Sequence, residues 1–304
     1  MFADDTKIYS QILSVKDCED LQIDLEALQK WSEKWLLNFN SSKCKALRLG
    51  KNSPDFNYRM GQNLLEETEM EKDLGILIDK NLRLTKHTEA QVGKANKLVG
   101  LIRRSYEHLD ADSLVQLYKA LVRPHLEYGH IIWPLTYKTD LRKVENVQRS
   151  VTKMIPRLRG RPMSYEQRLE TLKLPSIAYR RCRGDMIEVY KLLYGKYTTN
   201  SDLLRIKVST TRGHNLKLEK QRFRLSIRKH SFPVRVVTPW NSLPKSVVTS
   251  PTMNTFKNRI DKHWQMYQYS LEPPLIRTHY EKDTAELIEI DQEEPDSPNQ
   301  STGH

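Results

Sequence analysis

Between Asp17 and Phe39, apolar residues return every three or four positions, at Leu21, Leu25, Leu28, Trp31 and Trp35. That period predicts an amphipathic helix with both tryptophans turned inward. The same spacing runs through Thr85–Leu109 (Val92, Ala95, Val99, Ile102, Tyr106, Leu109) and Asp112–Trp133 (Leu114, Leu117, Leu121). It continues in Asp140–Ile155, where Leu141, Val144, Val147, Val151 and Met154 form one stripe. Pro124 lacks an N–H and should bend or end the second of these helices. Ser164–Leu172 and Ile177–Tyr194 read as two more, and Thr252–Tyr267 as a last one with Phe256, Ile260 and Trp264 inward.

Ahead of Thr85 the period shortens to two, as strands require. Leu47 and Leu49 alternate with Ala46 and Arg48, and Lys43 and Lys45 open that strand on one side. Asn52–Glu67 reads as a hairpin around Met60-Gly61-Gln62. Asp73–Asp79 reads as a strand whose Leu74-Gly75 step admits close approach of a second backbone. Met1–Tyr9 reads as a hairpin with Asp4 and Asp5 at its tip. Thr198–Val236 is irregular, and Thr238–Pro244 reads as a turn. The fold class is therefore α+β, with a β-rich start carrying one helix and a mostly helical remainder.

Charge narrows the partners. The 304 residues carry a net +12, and the stretch from Glu272 onward carries −7, which leaves +19 on the body. A body that basic suits a polyanion, with nucleic acid the first candidate. Lys94, Lys97, Arg103 and Arg104 sit off the apolar stripe of their helix, as do Arg142, Arg149 and Lys153 of theirs. Successive helices of this kind suit the phosphates of a duplex. Phe223 and Phe232 stand in the basic region beyond and are open to base stacking or to packing. The Pro-rich acidic tail after Ser270 is expected to be disordered. Three cysteines without paired spacing form neither a disulfide framework nor a zinc knuckle and fit a reducing, intracellular compartment. No run of residues is long and apolar enough for a bilayer.

Asp4 and Asp5 are the candidate for chemistry. Adjacent carboxylates repel and are tolerated where water screens them or where Mg²⁺ accepts their oxygens. An Asp pair is also ordinary turn chemistry.

In order and spacing, these segments resemble the second half of a non-LTR (LINE-type, jockey-like) retrotransposon reverse transcriptase. Phe2-Ala3-Asp4-Asp5 resembles the aromatic-Ala-Asp-Asp hairpin, and Trp31 through Lys45 the palm segment that follows it. Glu71-Lys-Asp-Leu-Gly-Ile76 resembles the primer-grip strand, and Leu117–Tyr128 with Leu141–Lys153 the thumb. Arg180–Glu188, Thr211-Arg-Gly213 and Trp240-Asn-Ser-Leu-Pro244 resemble the segment beyond the thumb.

The resemblance implies RNA-directed DNA polymerisation with Mg²⁺, an RNA template, a DNA primer and deoxynucleotides. Asp4 would be a principal metal ligand and Asp5 its weaker neighbour. Lys43 or Lys45 would meet the incoming triphosphate, and Leu74 and Gly75 would place the primer end. The implied units are a partial palm (1–82), a helical thumb (83–157), a basic α-rich region (158–270) and the acidic tail (271–304). Fingers, the first palm strands and a further metal-binding Asp would precede this chain in the family. Met1 therefore reads as an internal methionine of a longer ancestor, and the chain alone as inactive. The rival reading is a non-catalytic nucleic-acid-binding remnant, and a third is a degraded product without function.

Overall fold

The structure is a computed structural model that describes residues 6–50, 53–106, 110–135, 137–155, 158, 162–197, 203–207 and 213–272. It combines helices with small sheets, as the α+β reading requires. The chain divides into two compact units, Met1–Ala90 and Gln91–His304.

In the first unit, helix α1 (Val15–Lys34) starts where the Asp17 carboxylate accepts the N–H groups of Leu13 and Ser14 at 2.9 and 2.7 Å. These hydrogen bonds hold that carboxyl below the usual range, the Leu13 bond first. Cys18 and Leu25 bury against Tyr58 and Met60, and the Gln22 amide exchanges hydrogen bonds with the backbone of Arg59. The expected inward tryptophans are exposed instead, Trp31 at 45% and Trp35 at 59%. The apolar cluster under α1 takes in Leu21, Leu25 and Leu28, and the helix ends at Lys34, before the expected Phe39.

The strands are short. β1 (Lys45–Leu47) runs parallel to β4 (Glu66–Thr68), pairing Lys45 with Glu66. β2 (Arg59–Met60) and β3 (Asn63–Leu64) form the expected hairpin around Gly61, whose φ is +60°. β5 (Met70–Asp73) and β6 (Ile76–Asp79) form another, and here the expected Asp73–Asp79 strand is corrected. Leu74 and Gly75, at φ +45° and +85°, are the two-residue turn between the strands. Positive φ at both positions matches the strand twist, which is why the chain turns there.

Asp79 then accepts the N–H groups of Asn81, Arg83 and Leu84, which leads the chain into helix α2 (Thr85–Ser105). The second unit follows with α3 (Ala111–Leu117), a π-helical stretch Tyr118–Val122, and α4 (Arg123–Glu127). The predicted Asp112–Trp133 helix is thus interrupted just before Pro124, whose ring cannot sit over the carbonyl four residues back. The wider turn shifts the helical phase. Tyr118 and Val122 become fully buried, and Leu121, predicted inward, is 43% exposed. Tyr106, also predicted inward, is 49% exposed, one residue past the end of α2.

Helices α5 (Lys138–Thr152), α6 (Tyr165–Thr171) and α7 (Ile177–Leu193) complete the main frame. Ala95, Val99, Ile102, Leu114, Val144, Val147, Val151 and Leu169 share one core. The short helix α8 (Ser226–His230) precedes a second core, which gathers α7 with three more short helices, α9 (Phe232–Arg235), α10 (Val237–Asn241) and α11 (Lys245–Val248). Helix α12 (Met253–His263) packs on α7 through Phe256 and Ile260, and Trp264 just after it is buried too. Thr238–Pro244, read as a turn, is mostly helical, because Trp240 is fully buried and the chain coils around it. Among the described residues no helix is long and apolar enough to cross a membrane.

Candidate nucleic-acid interface

Asp4 and Asp5 lie outside the described residues. Among the described residues no three of His, Cys, Asp and Glu stand together as a metal site. Lys43 closes a short 3-10 turn, Ser41–Lys43, so it does not share a strand face with Lys45 as expected. Lys45 opens β1 and faces Glu71 at 3.4 Å and Glu66 at 3.8 Å. Leu74 is exposed at the tip of the β5–β6 hairpin, beside Gly75.

On α2 the core takes Ala95, Val99 and Ile102. At 3.6 residues per turn, Lys97 and Arg104 fall on the opposite face, with Gly93 and Gly100 beside them. A Cβ added at Gly93 would meet nothing within 4 Å, and one at Gly100 only the Arg104 guanidinium at 3.6 Å. That face is therefore a low ledge edged by cations. Lys94 and Arg103 flank it, and all four basic side chains are exposed. On α5, Arg142 and Lys153 are exposed, Lys153 just past the helix end. Arg149 is half-buried over the Tyr165 ring, 4.7 Å from its centroid. Exposed cations on a helix can follow a duplex backbone, because gripping phosphates needs charge and reach but no base-specific shape.

Three curated proteins match over much of the chain. The RNA-directed DNA polymerase from mobile element jockey of Drosophila funebris is 26% identical over 243 residues, covering 75% of this chain and 25% of that protein. The jockey polymerase of Drosophila melanogaster is 26% identical over 183 residues, 58% of this chain and 20% of its own. A probable RNA-directed DNA polymerase from transposon X-element, also of Drosophila melanogaster, is 25% identical over 164 residues, 51% of this chain and 18% of its own. The chain is related to the non-LTR retrotransposon reverse transcriptases. It spans about a quarter of the length of the curated relatives it matches. No family model matches it, and no solved structure does.

In this relative of the reverse transcriptases, the basic residues of the Arg180–Glu188 stretch turn inward. Arg180, Arg181 and Arg183 are basic in sequence, yet each has an internal partner. Arg180 grips the Glu127 carboxylate with two nitrogens. Arg181 is buried, donates to the carbonyls of Leu126 and Trp133, and stacks 4.1 Å from the Trp133 ring centroid. Arg183 pairs with Asp261, its Nη2 at 2.8 Å. Asp185 accepts two hydrogen bonds from Arg235, at 2.8 and 2.9 Å.

Sequence periodicity also missed a buried polar network on α5. Glu145 accepts the Tyr165 hydroxyl at 2.8 Å and the Ala178 N–H at 3.0 Å, and Gln148 accepts the Tyr118 hydroxyl at 2.5 Å. Burial pushes the Glu145 carboxyl up despite these donors. The signal was the apolar spacing itself, since Glu145 and Gln148 adjoin the Val144-Val147-Val151 stripe. Phe232, offered as a stacking candidate, is buried, whereas Phe223 is exposed. Thr211 and Arg212 lie outside the described residues.

Proposed function

We propose that this chain is part of a retrotransposon RNA-directed DNA polymerase, and that its helical unit holds an RNA–DNA duplex by the phosphates. The observation that carries the reading is the likeness to the jockey polymerases over three quarters of the chain. The exposed cations of α2 and α5 support it. In this reading, residues 1–82 are palm, 83–157 thumb, and 158–270 a basic extension. Lys43 and Lys45 face the incoming nucleotide, and Leu74 and Gly75 the primer end. Asp4 and Asp5 would hold the catalytic Mg²⁺, which when bound would supply orientation of the triphosphate and activation of the attacking hydroxyl.

The 304-residue chain alone does not polymerise. It spans a quarter of its relatives' length. Positioning of the substrate can supply roughly 7–11 kcal/mol of a barrier, and most of the frame that does so in a polymerase is not in this stretch. The test is primer extension on an RNA template with purified chain, Mg²⁺ or Mn²⁺, and all four deoxynucleotides. Extension that vanishes in Asp4→Ala would overturn the inactivity. Absence of any duplex binding would overturn the whole reading.

A non-catalytic nucleic-acid-binding remnant is the second reading, favoured by the exposed α2 face, which needs no palm. A longer reading frame encoding fingers and a third carboxylate, active in the same assay, would exclude it.

A further inference from the structure

The basic stretch beyond α7 contains a hollow that the duplex reading does not use. Ile206 and Leu218 form an antiparallel bridge, extended by hydrogen bonds from Lys207 N–H to Lys217 O at 2.7 Å and Glu219 N–H to Arg205 O at 2.8 Å. This small ladder is fastened to the core by Trp240 and Asn241. The Trp240 indole donates to Leu216 O at 2.8 Å. The Asn241 amide clasps the Leu218 backbone, accepting its N–H at 2.7 Å and donating to its carbonyl at 2.9 Å. A side-chain amide here plays the part of a neighbouring strand. Leu218 is buried beneath it, so the ladder cannot slide without exposing that side chain.

At the end of the ladder, Arg205, Lys220, Arg222 and Arg228, with Glu219 and Gln221, line an open surface hollow of about 490 Å³. Arg228 is steadied by donating to the Gln221 side-chain Oε1 at 2.8 Å. No ion pair engages Arg205, Lys220 or Arg222 among the described residues, in contrast with the inward arginines of α7. Four cations against one carboxylate repel each other, and an anion in the hollow would relieve that repulsion. Phe223 stands next in the chain to Arg222 and is 40% exposed.

We propose that this hollow is a second nucleic-acid site, one that takes the phosphates of a single strand while Phe223 offers its ring to an unpaired base. A concave pocket of this volume admits a flexible strand. In a duplex the bases are stacked inside and cannot reach an aromatic beside the phosphates, whereas a single strand presents both at once. Trp240-Asn-Ser-Leu-Pro244 is then the scaffold of the site. The site stands apart from the exposed cations of α2 and α5 in composition, and its existence does not depend on their holding a duplex.

The experiment measures anisotropy of a labelled single-stranded RNA of about 12 nucleotides and of an RNA–DNA duplex, with the full chain and across a salt series. The triple variant Arg205→Gln, Arg222→Gln, Arg228→Gln should weaken single-strand binding at least tenfold and lower its salt slope by about 2. Duplex affinity should change less than twofold. Phe223→Ala should cost about tenfold on the single strand, and Phe223→Trp should restore it. A variant with the same reduction of charge elsewhere, Lys196→Gln, Lys245→Gln, Lys262→Gln, is the control. Unchanged single-strand affinity in the first triple variant would overturn the proposal. So would an equal weakening in the control, or an equal weakening on the duplex, either of which would reduce the hollow to general charge. Thermal melting of each variant, expected to match the parent because the substituted side chains are exposed, separates impaired binding from impaired folding. Duplex binding is read in the same assay, so failure of the thumb reading and failure of this site give different results.

Discussion

His130 lies so close to Gly184 that a Cβ at position 184 would stand 2.5 Å from the His130 Nε2. Gly184 sits in the middle of α7, where glycine costs about 1 kcal/mol relative to alanine. The imidazole cannot easily retreat, because Arg235 holds the carbonyls of His130 and Ile131 at 3.1 Å each. Gly184→Ala should therefore destabilise the second unit by about 1–3 kcal/mol instead of stabilising a helix. His130→Ala in the same chain should recover most of that deficit. Urea unfolding of the two single variants and the double variant closes the cycle, and strictly additive effects would contradict the close approach.

Glu145 sets a pH dependence. Burial raises its folded-state pKa above the ordinary 4.5, so its unfolded form ionises first as pH rises. Its contribution is fully present below pH 4.5 and is lost as pH climbs through the folded value. Glu145→Gln keeps an acceptor for the Ala178 N–H and carries no charge to bury. The stability of this variant relative to the parent should increase from pH 4 to pH 7, as followed by urea midpoints. Glu145→Ala should cost about 1–3 kcal/mol, because the Tyr165 hydroxyl and Ala178 N–H are left without their partner.

Two groups of arginines should separate cleanly in a salt titration. Arg103→Gln with Arg104→Gln and Arg142→Gln should flatten the dependence of duplex affinity on salt by about 0.9 for each phosphate no longer neutralised. Arg183→Gln, which removes an internal partner of Asp261, should lower the melting temperature and leave the salt slope of the folded protein unchanged. A change of slope in Arg183→Gln would mean that α7 also touches phosphate.

Leu74 occupies the left-handed region at φ +45° and is 55% exposed. For a non-glycine residue that backbone costs roughly 1–2 kcal/mol. Leu74→Asn or Leu74→Gly should raise the stability of the first unit by about 0.5–1 kcal/mol, since either residue accepts the turn more readily. Chemical denaturation monitored by far-UV circular dichroism tests it, and a drop in stability would show that the leucine side chain contributes more than the strain removes.

The acidic stretch from Glu272 to His304 carries −7 and is tethered to a body of +19. A tethered polyanion competes with phosphate at high effective concentration. Deleting residues 273–304 should tighten duplex binding several-fold at low salt, with the difference fading as salt rises. Equal affinity of the two chains across the series would exclude this competition.

Period and punctuation in the sequence determined where most helices lie. The 3.6-residue stripes of Thr85–Leu109, Asp140–Ile155 and Ile177–Tyr194 became α2, α5 and α7 within a few residues, because burying one apolar face is a local demand on spacing. Order of motifs likewise determined kinship with the reverse transcriptases. Tertiary structure decided what spacing cannot encode, namely which polar side chains meet. Arg103 and Arg181 read alike in the chain, yet one faces water and the other lies on Trp133, beneath the loop that follows α4. Leu121 gave up its inward place because the π stretch Tyr118–Val122, ahead of Pro124, shifted the phase from there on, while Leu114 before it stayed in the core. Trp31 and Trp35 carry the right period but lie beyond the apolar cluster that buries Leu25, so the stripe alone could not settle their burial. The basic hollow at Arg205 exists only because Asn241, from a motif that looks like a turn, clasps the backbone of Leu218 and brings distant cations together. Charge is written along the chain, but its convergence is a property of packing.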